Sequence, residues 1–326
     1  MRYTKPDYLE RFYCTAENCP VPCAAPADIC WTQTLGDTCE TGISMTCPQA
    51  ANLILLHQAP TVYRTSRDST SPAVPLTGIT ESQLSLMLDA RRTTEIIIQN
   101  RALPLRSNVM LLLIYGFEFE PMISSGSRYA YDELDWGFTE QPYRQLSYAL
   151  TAQGNWEMKR SNMLQLLIQL HELTRDDELL QDHLTRTISL IEPLSGEEYK
   201  ALRDTFDQYM KPRDYLFENL MVYYIHRYFL ANAQEQTVLP GIRFSMVSFA
   251  VIRAMSARLY QDIGVLSEHA FSALCRHYAR CVAENPKVRG ILDQRFLTDP
   301  LYSQDNLQRM LKQEEPRPEE TEIEAE

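Results

Sequence analysis

The sequence predicts a mainly α fold, in which a helical domain carries a loop-rich, Cys-rich N-terminal cap that binds a metal. Three observations lead to this prediction. Apolar residues recur at helical spacing from residue 79 almost to the end of the chain, and no alternation typical of β-strands is sustained. Six of the eight cysteines lie within the first 47 residues. The 326 residues, 44% of them hydrophobic, suffice for one large core.

The cap is predicted over residues 1–50. This segment is rich in Cys, Pro and Thr, and three prolines interrupt its cysteines, which indicates loop. A short helix is predicted to follow Pro48. Residues 60–78 are rich in Ser, Thr and Pro, and we expect them to form a linker.

The helical domain is predicted over residues 79–313. Its first helix opens with a capping box at Thr80 and Gln83, and a later helix opens with another at Ser195 and Glu198. The other segments with helical periodicity are LRSNVMLLLIYGFEF, SNMLQLLIQLHEL, ELLQDHLTRTISLI, FENLMVYYIHRYFLANA, RFSMVSFAVIRAMSARLYQDIG and EHAFSALCRHYARCVA.

Two stretches of the chain break this helical pattern. Residues 124–137 are predicted to be a polar loop that leads to a weaker helix over residues 142–153. Residues 314–326 hold seven Glu and one Arg without an apolar stripe, so we expect a disordered acidic tail.

Charge and hydropathy exclude several classes of protein. The net charge of −12 and the pI of about 5.1 argue against a nucleic-acid partner. The most apolar runs are shorter than the roughly 20 residues that span a bilayer, and no secretory signal opens the sequence. We therefore expect a soluble cytoplasmic protein, without a membrane partner and with reduced thiols.

Reduced thiols in a cluster favour a metal site over disulfides. Soft thiolates hold either Zn²⁺ or an iron–sulfur cluster, and the C-x4-C-x3-C-x6-C spacing from Cys14 to Cys30 leaves both open. The distant pair Cys275 and Cys281 is interpreted as buried structural thiols, and His269 and His277 are interpreted as structural histidines.

Motifs for nucleotide binding or hydrolysis are absent from the sequence. Glycine is scarce, at 11 residues, and the chain has neither a G-x-G-x-x-G nor a P-loop motif. H-E-x-x-H and G-x-S-x-G are also missing.

Four segments, in order, resemble the flagellin lysine-N-methylase family of the FliB type. They are PDYLERFYCTAENCPVPCA, GISMTCPQAANLILL, IIIQNRALPLRSNVMLLLIYGF and YLFENLMVYYIHRYF. The chain is shorter than typical members, and an adjacent Cys-Cys pair of the family becomes Cys23-Ala24.

The resemblance implies a metal centre. Its ligands would be Cys14, Cys19, Cys23 and Cys47, with Cys30 or Cys39 in reserve. The centre would be a [4Fe-4S] cluster, with zinc as the alternative.

The resemblance also implies a bacterial protein-lysine N-methyltransferase. It would transfer methyl groups from S-adenosylmethionine to the ε-amine of lysines on flagellin or another protein substrate. Glu218 and Tyr224 are the candidate catalytic residues, and Arg101 is the candidate that positions backbone or the donor carboxylate by a forked hydrogen bond.

Two alternatives stay open at this point. The aromatic residues around Tyr224 have the spacing of a helix core, and Glu218 with Asn219 could simply cap that helix. The chain could also be a non-catalytic relative, with a structural Zn or Fe–S centre on a protein-binding module.

Overall fold

The computed structural model describes residues 1–16, 29–67, 73–142, 144–145 and 155–311, with the backbone alone for 13–16. Most of these residues are helical, which confirms the mainly α class. The predicted acidic tail, and nearly all of the weaker helix predicted over 142–153, lie outside the described residues.

The N-terminal part contains a four-stranded sheet that the sequence analysis did not predict. Its strands are β1 (Arg2–Pro6), β2 (Cys30–Leu35), β3 (Thr38–Ile43) and β4 (Tyr63–Arg67). The order is β2-β3-β1-β4, with β1 parallel to β3 and antiparallel to β4. The described part of the cap is therefore mostly regular structure, which corrects the loop-rich prediction. Strand β4 lies within the segment predicted to be a linker.

Local sequence explains the β2–β3 hairpin. The two strands are joined by Gly36 and Asp37, and Gly36 has φ 58°, a conformation that glycine adopts without strain. Trp31 on β2 pairs with Gly42 on β3. A Cβ atom at Gly42 would lie 2.5 Å from the Trp31 ring, so only glycine leaves room for the indole.

The helices follow the sequence closely from Pro48 onward. Both predicted capping boxes form, at Thr80 with Gln83 and at Ser195 with Glu198. The helices are α1 (Tyr8–Ala16), α2 (Pro48–Leu55), α3 (Glu81–Ile98), α4 (Leu105–Ser125), α5 (Arg128–Thr139), α6 (Trp156–Leu173), α7 (Glu178–Ile191), α8 (Gly196–Met210), α9 (Tyr215–Tyr228), α10 (Leu239–Ile263), α11 (Glu268–Tyr278), α12 (Pro286–Thr298) and α13 (Gln304–Leu311). A π-helical turn, Ala279–Ala283, continues α11.

Helix α5 corrects the polar loop predicted over 124–137. The side chain of Ser127 caps the helix by accepting a hydrogen bond from the backbone N–H of Ala130. Tyr131, Leu134 and Phe138 then follow at helical spacing and are buried. A narrow apolar stripe was thus enough to form a helix in a segment of polar composition.

Helix α9 lies at the centre of the molecule. It packs against α2, α3 and α10, and nearly all of its residues are buried, as expected for a helix that is apolar all round. The cap is held to it by hydrogen bonds. The Asn219 amide donates to the carbonyls of Leu55 and His57, and the Tyr223 hydroxyl accepts from the N–H of Met45. Cap and helical region therefore share one hydrophobic core. None of the helices within the described ranges has the length and hydropathy that a bilayer crossing requires.

Candidate functional site

A cleft of about 450 Å³ opens between the sheet and helix α3. Its volume falls in the range of small-molecule sites, about 300–1,000 Å³. The sheet contributes residues of its edge strand β4 and of β1, and α3 contributes one of its faces. The lining includes side chains that can form hydrogen bonds or carry charge, among them Arg2, Thr61, Tyr63, Arg91, Arg92 and Glu95.

A buried ion pair forms the floor of the cleft. Arg91 on α3 donates a short hydrogen bond to Glu40 on β3, and both side chains are almost fully buried. The Nε atom of Arg91 also lies 3.7 Å from Oε1 of Glu95, one helical turn further along. The guanidinium thus lies between two carboxylates, and it joins the cap to the helical region through Glu40.

Glu95 is the carboxylate in the lining of the cleft whose pKa is raised. Burial raises its pKa to about 7; Arg91 opposes the rise and Glu40 adds to it. Its Oε1 atom is buried and makes no hydrogen bond to any described residue. A carboxyl group that titrates near neutrality can gain and lose a proton under physiological conditions, which is the property of a general acid or base.

Aromatic rings stand next to Glu95. His226, near the end of α9, has its Nδ1 atom 3.6 Å from Oε1 of Glu95. Its ring stacks on Tyr63 at 3.9 Å between centroids and lies 5.6 Å from Trp31. Burial lowers the pKa of His226 well below its usual value, and Arg91 lowers it further, so the imidazole is neutral.

Several polar atoms at this place lack partners. Both ring nitrogens of His226 and the hydroxyl of Tyr63 are buried without a hydrogen bond to any described residue, as is Oε1 of Glu95. Buried polar atoms without partners are uncommon in folded proteins. A water molecule or a polar ligand would satisfy these four atoms.

The structure brings two of the predicted site residues, Arg101 and Glu218, together. Arg101 donates two hydrogen bonds of 2.9 Å to the two carboxylate oxygens of Glu218, and a third to the carbonyl of Gln58. Arg101 thus holds a backbone carbonyl as well as Glu218, and its binding of a donor carboxylate stays a prediction. Together with Asn219, the pair fastens the chain after α2 to the start of α9.

Tyr224 lies away from the cleft. It is fully buried, with its ring packed edge-on against Phe244 and beside Tyr223 and Tyr228. Burial raises the pKa of its hydroxyl well above the usual value. The catalytic roles expected of Glu218 and Tyr224 remain predictions, and neither side chain lines the cleft.

The cysteines are described only in part. Cys19 and Cys23 lie outside the described residues, and Cys14 is described by its backbone in the last turn of α1. Cys47 is buried at the N-terminal end of α2. Helix α1 packs on α2, and Tyr8 at the start of α1 contacts His57 just past the end of α2. The two helices therefore run antiparallel, which brings the end of α1 to the Cys47 end of α2.

The hairpin separates the two reserve ligands. Cys39 is on β3 opposite Thr34, which lies four residues along β2 from Cys30. At about 3.3 Å per residue, the two positions are about 13 Å apart, too far for one metal ion. The start of β2 lies beside the chain that leads to Cys47, because the N–H of Ser44 donates to the carbonyl of Ile29. Cys30, rather than Cys39, is therefore at the same end of the cap as Cys47.

A family model described as the FliB lysine N-methylase C-terminal domain matches residues 91–310. The chain belongs to this family. The match begins at Arg91, includes Glu95, Arg101 and Glu218, and leaves the sheet and the cysteine cluster outside. Searches of the curated proteins and of the solved structures give no match. The FliB-type identity therefore rests on the helical region.

Sequence reasoning missed Glu95, Arg91 and His226 as site residues. A signal was present in α3, where Leu84, Met87, Arg91 and Ile98 share the apolar face. An arginine at a core position demands a buried acid, because an unpaired charge is rarely buried. The partner itself, Glu40, is 51 residues away on β3, and local pattern does not reveal it.

Proposed function

We propose that this FliB-type chain is a protein-lysine N-methyltransferase with flagellin as its substrate and S-adenosylmethionine as its methyl donor. Membership of the lysine N-methylase family, over residues 91–310, is the observation that supports the reaction class. The cleft between the sheet and α3 is the active site in this proposal, and Glu95 is its base.

The reaction requires a neutral amine, because an ammonium group has no lone pair. A free lysine has a pKa near 10.4, so at neutral pH its proton must be removed at the site. Transfer to a carboxylate whose pKa is about 7 is uphill by about 5 kcal/mol, and transfer to a carboxylate of ordinary pKa is uphill by about 8 kcal/mol. Burial of Glu95 thus removes about 3 kcal/mol from the cost of deprotonation, and burial of the lysine itself lowers that cost further.

The rings beside Glu95 suit the substrate. A lysine side chain that enters the cleft would pass Tyr63, whose aromatic face attracts an ammonium and its methylated forms. The imidazole of His226, with Nδ1 3.6 Å from Oε1 of Glu95, is neutral and adds no positive charge beside the base.

We assign one side chain of the cleft, Arg92, to the methyl donor. S-adenosylmethionine supplies an electrophilic methyl group when it is bound. Arg92 is exposed at the wall of the cleft, and its guanidinium would hold the donor carboxylate. This assigns to Arg92 the role that the resemblance suggested for Arg101, whose fork is occupied by Glu218.

We further propose that the cap binds the metal centre through Cys14, Cys19, Cys23 and Cys47, with Cys30 as the reserve ligand. The antiparallel packing of α1 on α2 and the position of the start of β2 support this set. The chain segment with Cys19 and Cys23 connects those two places. Thiolates at this end of the cap would hold a [4Fe-4S] cluster or zinc.

The experiment is direct. The purified, metal-loaded protein is incubated with S-adenosylmethionine and flagellin, and the intact mass of flagellin is measured. Increments of one methyl group, located on lysines by peptide mapping, are expected. Unmodified flagellin after incubation with a fully metal-loaded protein would reject the enzymatic function and favour the non-catalytic relative.

A further inference from the structure

Three potential metal ligands, none of them among the N-terminal cysteines, meet where the start of α7 approaches the end of α11. Asp177 caps the start of α7, His277 lies in the last turn of α11, and Cys281 lies in the π-helical turn that follows. The carboxylate, imidazole and thiol atoms all lie within 4.8 Å of one another. No ion-binding function follows from the FliB-type match for these residues.

The distances are close to those of a coordination sphere. The Sγ atom of Cys281 lies 3.8 Å from Nε2 of His277 and 3.0 Å from Oδ2 of Asp177. Oδ1 of Asp177 lies 2.7 Å from Nε2 of His277. Around tetrahedral zinc, with Zn–S near 2.3 Å and Zn–N near 2.0 Å, a sulfur and a nitrogen ligand are about 3.6 Å apart. The sulfur–nitrogen pair thus has the required spacing, and the carboxylate needs to withdraw by less than about 1 Å.

Burial and charge also suit a divalent cation. His277 and Cys281 are buried, whereas a quarter of the Asp177 side chain is exposed. The site therefore has two rigid ligands and one side open to solvent, where a water molecule can complete four-coordination. A carboxylate and a thiolate together carry two negative charges, which a divalent ion balances. The thiolate selects zinc over magnesium or calcium.

The two carboxylate oxygens of Asp177 have different partners. Its Oδ1 atom accepts the capping hydrogen bond from the N–H of Leu180 at 3.0 Å. Its Oδ2 atom accepts from the thiol of Cys281 and, at 3.2 Å, from Arg280. A metal ion would replace these last two donors at Oδ2 without disturbing the helix cap.

Arg280 is the group that opposes binding. Its Nη2 atom lies 3.2 Å from Oδ2 of Asp177 and 3.2 Å from Nδ1 of His277, so in this structure a guanidinium supplies the positive charge. Its side chain is 63% exposed, so it can turn into solvent at little cost. With a metal on Nε2, the proton of His277 moves to Nδ1, which then no longer accepts from Arg280.

We propose that Asp177, His277 and Cys281 bind one Zn²⁺ ion, at a site separate from the N-terminal cysteines. Binding releases the thiol proton of Cys281 to solvent and displaces Arg280. The ion joins the start of α7 to the turn after α11, two elements that are otherwise linked here by hydrogen bonds.

The test counts zinc in the full-length protein. Wild type and variants are loaded with Zn²⁺, dialysed against a weak chelator and analysed for zinc per chain. Cys281→Ser and His277→Gln should each hold about one equivalent less than wild type. Two control variants should hold as much zinc as wild type. They are Cys275→Ala, at a buried cysteine of α11, and His269→Gln, at an exposed histidine of α11.

A variant that should bind zinc more tightly than wild type gives an independent check. Arg280→Ala removes a cation next to the site and should bind the ion about tenfold more tightly in a chelator competition. In the wild-type protein, Zn²⁺ should also slow alkylation of Cys281, as followed by peptide mass spectrometry. Equal zinc content in wild type, Cys281→Ser and His277→Gln, or alkylation of Cys281 that zinc leaves unchanged, would overturn the proposal.

Discussion

Burial changes what the carboxylate of Glu95 can do. It places the group beside Arg91 and His226 and raises its pKa to about 7, so that a proton is held or released near neutrality. The same burial has a cost for the fold, because the ionised form is disfavoured in the interior. Function and stability are therefore in conflict at this residue, as is common at active sites.

Glu95→Gln should stabilise the protein increasingly as the pH rises. Since the folded-state pKa of Glu95 is raised from 4.5 to about 7, its protonation favours the folded state, and that contribution is lost as the pH passes 7. Glutamine resembles the protonated acid at every pH. The difference in unfolding free energy between the variant and wild type should therefore grow by about 2 kcal/mol between pH 5 and pH 8.

Urea denaturation at the two pH values measures this difference. The charged and titratable neighbours Arg91, Glu40, His226 and Tyr63 are common to both proteins. Glu81→Gln, at the exposed first turn of the same helix, is the control and should show no such trend. If the difference in unfolding free energy between Glu95→Gln and wild type did not change with pH, the raised pKa of Glu95 would be contradicted.

We expect Arg101 to contribute to the stability of the folded protein, because its guanidinium is hydrogen-bonded to the carboxylate of Glu218. The Arg101 side chain is 47% exposed, whereas that of Glu218 is 6% exposed. Arg101→Ala leaves a buried carboxylate without its partner and should cost about 1–2 kcal/mol of unfolding free energy. The double variant Arg101→Ala with Glu218→Gln should recover part of the loss, since the buried charge is then gone. Unchanged stability of Arg101→Ala in urea denaturation would contradict the structural role.

At the scale of elements, the sequence predicts the helices well and the sheet poorly. The capping boxes at Thr80 and Ser195 each open a helix because the signal is local. The β2–β3 hairpin also had a local signal, since Gly36-Asp37 joins two Thr-rich runs. The pairing of β1 with β4 had none, because Arg2 and its partner Arg67 are far apart in sequence. Tertiary contacts, not propensity, decide such pairings.

The residues of the candidate site also come together through long-range contacts, which local sequence patterns do not reveal. The ion pair of Arg101 with Glu218 joins two segments that sequence reasoning had singled out, although their pairing was not foreseen. Glu95 gained its importance from groups on β3, β4 and α9, which only the fold brings together. The sequence held one indication of this site, which was the charged residue Arg91 on the apolar face of α3.

The hairpin makes the two reserve cysteines a matched pair for a metal experiment. In a protein that already carries Cys23→Ser, Cys30→Ser should lower the iron or zinc content further, because Cys30 is the reserve ligand at the Cys47 end of the cap. In the same background, Cys39→Ser should leave the metal content unchanged, since Cys39 lies about 13 Å away along the strands. The metal per chain is measured by elemental analysis after anaerobic purification, and the visible colour distinguishes iron–sulfur from zinc. A loss of metal in Cys39→Ser with none in Cys30→Ser would reverse the assignment.

On the scale of the whole molecule, the cleft is built from two parts of the chain. The sheet supplies Arg2 and Tyr63, and the helical region supplies Arg91 and Glu95. Glu40 and His226 contact Arg91 and Glu95 from outside the lining. The family match covers only the second part. Hydrogen bonds from Asn219 to Leu55 and His57, and from Arg101 to Gln58, join the helical region to the chain at the end of α2. A site shared in this way explains why the cap and the helical region have one common core.

Methyl transfer by Glu95→Gln tests the central claim most directly. Wild type, Glu95→Gln and Glu81→Gln are compared at equal metal content in the rate at which they add methyl groups to flagellin, read from its intact mass. The loss of a general base typically costs a factor of about 100 or more, so Glu95→Gln should fall by at least that factor while Glu81→Gln keeps the wild-type rate. A Glu95→Gln rate within about twofold of wild type would show that Glu95 is not the base and that the cleft is not the place where lysine is deprotonated.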